Sequence, residues 1–137
     1  MDQLFKIAII ATTLTGAIHL GPAHAVDLSG GCATNADACG EVFVRKGRAS
    51  QIDFKAFSEQ HGGGFIVEAD RLRGKFASCK IKTRKEDDQN VNIVAGCVTD
   101  IMLSNVQFTL KVVEPNKISR TFPGMPDMEI SYYSCSI

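Results

Sequence analysis

The sequence predicts an all-β domain, an eight-stranded antiparallel meander that closes or nearly closes into a small barrel, and three observations predict it. From Glu41 onward, stretches rich in Val, Ile, Phe and Thr are separated by clusters of Gly, Asn, Asp and Pro, the pattern of strands joined by tight turns. Within those stretches apolar and polar residues alternate at period two, so a strand has one dry and one wet face. The connections are short, which favours pairing of sequence neighbours. An even strand number also brings the first strand beside the last, where closure removes both open edges. A two-sheet β-sandwich is the alternative that the same pattern allows.

Taken in order, residues 1–25 read as a signal peptide, with Lys6 before an apolar run from Ile7 to Ile18 and Ala23-His24-Ala25 as a small-x-small cleavage site. The run is shorter than the roughly 20 residues a membrane span needs, so no transmembrane segment is expected in the mature chain. A lipid-attachment reading of Leu28-Ser29-Gly30-Gly31-Cys32 has its leucine one position too early. Residues 26–40 are a lead-in segment and 41–137 the single barrel domain. The eight strands are expected near Glu41–Lys46, Ser50–Phe57, Gly64–Ala69, Leu72–Lys85, Asn90–Thr99, Ser104–Val113, Asn116–Phe122 and Met128–Cys135, with a brief helix around Lys55 to Gln60. Between them lie Lys46-Gly47-Arg48, Gln60-His61-Gly62-Gly63, Asp87-Asp88-Gln89-Asn90, Glu114-Pro115-Asn116 and Pro123-Gly124-Met125-Pro126, all turn chemistry. Val91, Ile93, Ala95 and Cys97 share one face, as do Val106, Phe108, Leu110 and Val112. Strands of this length give an interior filled by side chains.

Five cysteines survive removal of the signal peptide, and an exported chain carries them into an oxidising compartment where disulfides persist. A periplasmic or secreted location follows. Cys79 and Cys97 are equidistant from Asp88, so a regular hairpin sets them opposite one another on one face, and a cross-strand disulfide is predicted. Cys39 and Cys135 fall at adjoining ends of the first and eighth strands and are predicted to pair. For Cys32 several fates remain open: a free thiol, a bridge between two copies, a bond to Cys39, or replacement of Cys39 as the partner of Cys135.

Charge and motif exclude more than they assign. Fifteen basic and fifteen acidic residues among 137, with 45% hydrophobic content, disfavour disorder and a nucleic-acid-binding polycation. His61 is the one histidine outside residues 1–25, and no CxxC pair, GxSxG elbow or phosphate loop is present. No catalytic residue, metal site or cofactor is therefore expected, and the protein reads as a non-enzyme. The charge is nonetheless uneven: Arg45 to Lys85 holds eleven basic and four acidic residues, Glu86 to Ile137 three and seven. Lys80, Lys82 and Arg84 are expected on one outer face.

A meander sorts its loops between two ends. The end with the loops after the odd-numbered strands is expected to gather Ile101, Met102, Leu103, Met125 and Met128 with Lys46, Arg48, Arg71 and Arg73, and the other end Glu59, Glu86, Asp87, Asp88 and Glu114. Methionine-bearing surfaces suit adaptable contacts, so the first set is the candidate binding site for an envelope protein or inhibitor-like partner. The competing outcome is that these side chains fold back and plug the barrel, and burial of both Met102 and Met125 would remove the site. The rival function is carriage of a small amphiphile or lipid inside the barrel, lined by Phe54, Phe108 and Phe122.

Cys79-Lys80-Ile81, the run Cys97-Val98-Thr99-Asp100-Ile101-Met102-Leu103-Ser104, and Phe122-Pro123-Gly124-Met125-Pro126 with Met128 and Cys135 resemble a group of small exported bacterial proteins of uncharacterised function. The likeness covers roughly Glu41 to Cys135. It implies a shared scaffold and no activity. In architecture the expected meander is similar to lipocalin-like (calycin) barrels and to small periplasmic barrels that inhibit proteases or lysozyme, but the chain has no tryptophan and so lacks the lipocalin GxW motif.

Overall fold

Ten strands and one short helix build the fold in the computed structural model, which describes residues 26–137; the signal peptide expected over residues 1–25 lies outside the described residues. The strands are β1 (Gly30–Ala33), β2 (Phe43–Lys46), β3 (Gln51–Phe54), β4 (Gly64–Val67), β5 (Arg71–Arg73), β6 (Ser78–Asp87), β7 (Asn90–Val98), β8 (Leu103–Glu114), β9 (Lys117–Phe122) and β10 (Met125–Cys135), with helix α1 (Cys39–Val42) between β1 and β2. Eight of them close an antiparallel barrel in the order β1-β10-β9-β8-β7-β6-β5-β4, and β2 and β3 form a separate hairpin. The expected closed meander is thus the fold.

Its membership differs from the expected one. The strands anticipated at Glu41–Lys46 and Ser50–Phe57 exist as β2 and β3 but lie outside the barrel. Their place is taken by β1, four residues from the segment expected to lead into the domain, which pairs with both β10 and β4. The long strand expected from Leu72 to Lys85 breaks at a turn in which the Gly74 amide donates to the Ala77 carbonyl, 2.8 Å, giving β5 and β6. The helix anticipated around Lys55 to Gln60 is a 3-10 turn over Ser58–His61.

The β6–β7 hairpin keeps the predicted pairing by another route. Its turn is the two residues Asp88-Gln89, with Asp87 opposite Asn90, and a bulge between Ile81 and Thr83 shifts the register by one so that Cys79 still faces Cys97. The extra residue also exchanges the faces of everything between it and the turn. Arg84 therefore lies opposite Ile93, and Glu86 opposite Val91, on the interior side, and the expected outer face of Lys80, Lys82 and Arg84 loses its arginine. The Arg84 guanidinium pairs with Glu86 at 2.6 Å and donates to the Val26 carbonyl, while the Val26 amide donates to Glu86 at 3.0 Å. These contacts hold the start of the described chain across one end of the barrel.

Two cores result. The first is the barrel interior, where Val91, Ile93, Ala95, Leu110 and Ile118 are buried with Cys32, Leu72 and Leu28. The second lies outside the barrel wall, where residues 34–63 fold back over β1 and β4 and bury Val42, Phe43, Phe54, Ile66 and Cys135. Phe43 lies against the outer surface of Gly31 and Gly64, at each of which an added Cβ would fall about 3 Å from its ring. Phe54 is 5.2 Å from Phe43, ring centre to ring centre, which takes it out of the barrel lining expected for it. The Cys39–Cys135 disulfide, 5.5 Å between Cα atoms, ties this covering layer to the last strand.

Candidate functional site

The topology assigns the turns at 74–77, 99–102 and 123–124 to one end of the barrel, the upper end, and those at 68–70, 88–89 and 115–116 to the lower end. The upper end is uneven. Thr109 pairs with Thr121, and from there toward the turn β8 has a ladder partner only in β7. The β7–β8 hairpin consequently projects about five residues, or roughly 16 Å, past the β9–β10 turn. Its tip is closed by the Thr99 amide donating to the Met102 carbonyl at 2.9 Å, which leaves the intervening side chains outside the ladder.

That tip is apolar and uncovered. Ile101 is 93% exposed, Leu103 77% and Met102 61%, so the plugging alternative does not hold. Val98 sits directly opposite Leu103 on the outer face and is also exposed. Phe76, in the β5–β6 turn, shares a surface concavity with Val98 and Thr99. Neither Val98 nor Phe76 was anticipated; the signal for Val98 was its place beside Cys97, which makes it face outward if the cysteine faces inward. Met125 and Met128 are exposed but stand on β10 at the shorter side, Met125 opposite Phe122. They belong to the same end without extending the tip.

Of the basic residues of the candidate set, Arg73 lines the upper-end concavity with Phe76, Val98 and Thr99, and Lys46, Arg48 and Arg71 lie elsewhere. The additional turn between β5 and β6 reverses the parity of every earlier loop, so the turn at 68–70 is at the lower end. The β2–β3 hairpin runs down the outside of the wall, with the Arg45 guanidinium donating to the Ile137 carbonyl and Ile52 approaching Gly30. Lys46 and Arg48, at its tip, are thereby carried away from Met102. Arg73 joins Glu68 at 2.8 Å and Asp53 at 3.3 Å, Arg71 joins Glu68 at 2.9 Å, and Lys46 joins Asp53 at 3.3 Å. This alternating chain of charges fastens the hairpin to the barrel. Burial alone would raise the Glu68 carboxyl, but hydrogen bonds and charge from Arg73 and Arg71 outweigh it and hold the group below its ordinary range. The Asp53 carboxyl is also lowered, first by the Phe54 amide, with burial opposing and Lys46 and Arg73 adding to the effect.

Behind the tip the barrel is open. A cavity of about 300 Å³ enters the upper end between Phe65, Leu72, Val106, Phe108, Tyr132 and the Cys79–Cys97 disulfide. Arg120 stands in its wall. Its guanidinium lies 4.5 Å from the ring centres of both Phe108 and Phe122, and among the described residues it forms no ion pair and no side-chain hydrogen bond. Sequence reasoning passed over Arg120, although Ile118, Arg120 and Phe122 share one face at period two. An arginine between two apolar residues on an inward face was the available signal.

Cys32 is a free thiol within the interior core, and burial pushes it up to about 11. Of the fates open to it, the structure shows the unpaired one. His61 ends the 3-10 turn, half exposed and 4.0 Å from the Glu41 carboxylate. The fold and site together define a small disulfide-bonded closed β-barrel, open above, with a smaller cavity of about 210 Å³ beside Leu28, Cys32 and Ile118 at the lower end. No family model, curated protein or solved structure matches the chain, so the class stands at the level of the barrel.

Proposed function

We propose that the protein is a non-enzymatic binding module of the periplasm or the secreted space, acting on an envelope protein or inhibitor-like partner through the projecting β7–β8 tip. The observation that carries this reading is the exposure of Ile101, Met102 and Leu103 together, backed by Val98 and Phe76. Water-exposed apolar side chains in a contiguous set are unfavourable in a free protein and are characteristic of contact sites. The two disulfides support an oxidising, extracytoplasmic setting. The test is capture from an envelope extract with immobilised protein, compared with an Ile101→Ser, Met102→Ser, Leu103→Ser triple variant. The reading expects a partner that the variant loses by about tenfold or more, at unchanged thermal stability; equal capture by both rejects it.

A second reading, carriage of a small amphiphile, is favoured by one observation, the apolar cavity behind the tip. Its occupied region is the mouth, the larger of the barrel's two end cavities, below which Val91, Ile93, Leu110 and Ile118 pack the interior. Native mass spectrometry of protein from its own host checks it, with a retained small-molecule adduct as the expected result.

A further inference from the structure

We infer that the barrel mouth is a recognition site for a small apolar-tailed monocarboxylate, with Arg120 as the group that reads the carboxylate. The inference rests on the second reading above and adds to it the charge and chemical class of the ligand. Three features of the cavity converge on it.

First, Arg120 is a charge without a counterion. The other interior-facing arginine, Arg84, has Glu86 at 2.6 Å and a backbone carbonyl. Arg120 has neither among the described residues, and its Nε is buried with no acceptor at all. Arg120 as a whole is half-buried, a buried N–H left without an acceptor is costly, and guanidinium is the side chain whose planar fork matches a carboxylate by two parallel hydrogen bonds.

Second, the guanidinium is held against two rings. Phe108 and Phe122 each lie 4.5 Å from it, ring centre to guanidinium carbon, and cation–π contact of this kind uses none of its N–H donors. The contact also reduces the rotamer freedom that a ligand would otherwise have to freeze.

Third, the remaining lining is mostly apolar, with Arg73, already paired with Glu68 and Asp53, and the hydroxyl residues Thr99 and Ser104 as its polar members. Phe65 and Tyr132 meet edge to face at 4.8 Å, and with Leu72, Val106 and the disulfide they form a wall suited to hydrocarbon. A volume of about 300 Å³ is at the lower bound of ordinary small-molecule sites, which selects a short tail over a full-length phospholipid. A free inorganic anion would leave that wall wet, and a neutral or cationic amphiphile would leave Arg120 unanswered.

The experiment titrates the disulfide-bonded protein with decanoate, decanol, decyltrimethylammonium and acetate by calorimetry. Decanoate is expected to bind at least about tenfold tighter than decanol, the ratio of one charge-assisted bidentate contact, and the other two more weakly still. Arg120→Met, which keeps the apolar stem, is expected to abolish the preference for decanoate over decanol. Val106→Phe, which narrows the cavity without touching the charge, is expected to block both and covers the case in which Arg120→Met fails to fold. Equal binding of decanoate and decanol overturns the role of Arg120 while leaving carriage standing. Binding of neither overturns both, and acetate binding as tightly as decanoate overturns the amphiphile class.

Discussion

The two sides of the barrel wall reach the same closed circle by different means. From β6 to β10 the strands run six to twelve residues, long enough for continuous ladders and for an inward row that buries Val91, Ile93, Ala95, Leu110 and Ile118. From β1 through β4 to β5 they run three or four, too short to hold an edge by ladder hydrogen bonds alone. The short side is supported from outside, by Phe43 on bare glycine backbone, by the Arg73 charge chain and by the Cys39–Cys135 bridge. A barrel can therefore close through a narrow belt when a second core backs the belt.

That contrast breaks most visibly at the disulfides. Cys39 and Cys135 are separated by 96 positions and Cys79 and Cys97 by 18, so chain entropy predicts a loss of about 4–5 kcal/mol for Cys39→Ala with Cys135→Ala and about 3 kcal/mol for Cys79→Ala with Cys97→Ala. Urea unfolding of the two double variants gives the comparison. Hydrogen exchange should add that only the first variant loses protection in residues 34–63. Next in size is Phe43→Ala, expected to cost about 3–4 kcal/mol, as for a large aromatic removed from a core. Its opening should be confined to β1, β4 and the β2–β3 hairpin; loss of protection in β7 and β8 to the same degree would show one undivided core.

A smaller effect separates the sides by pH. Asp53 and Glu68 are held below their ordinary values of 3.8 and 4.5, so their stabilising contribution is complete above those values and is lost as pH falls through and below them. Arg73→Met is expected to cost about 1 kcal/mol at neutral pH and to reduce the acid sensitivity of the hairpin; urea midpoints at pH 7 and pH 3 measure both. The smallest effect concerns Cys32. The folded protein should be inert to thiol reagents at pH 8 and should react once unfolded, without any change in stability from Cys32→Ala beyond about 1 kcal/mol.

The long side was legible in the sequence and the short side was not, for a physical reason. Period-two alternation in Val91 to Cys97 and Val106 to Val112 reports burial on one face, and the structure buries those faces. Gly30-Gly31-Cys32-Ala33 has no such signature, because its outer face is kept bare for Phe43 and its inner face is small. Both disulfide partners were readable, yet Cys39 reaches Cys135 from a helix and Cys79 meets Cys97 through a two-residue turn and a compensating bulge. The bulge left no trace in the spacing. Of the candidate site, Ile101, Met102 and Leu103 were found because apolar residues in a turn are conspicuous, and Arg73 stays at that end, whereas the placement of Arg71 failed on the parity of one unseen turn and that of Lys46 and Arg48 on a hairpin that lies outside the barrel. Arg120 was hidden by the expectation that charge faces water.

The unpaired Cys32 bears on the order in which the protein can oxidise. In the closed barrel Cys32 stands opposite Ser134 and Gly31 opposite Cys135, so the thiol points inward while the bridging sulfur of its neighbour strand lies outside with Cys39. Once β1 is docked, Cys32 lies in the interior and Cys39 stands beside Cys135, so oxidation after closure is expected to give the Cys39–Cys135 bridge alone and oxidation of the unfolded chain a mixture that includes Cys32–Cys135, which peptide mapping of the two products distinguishes.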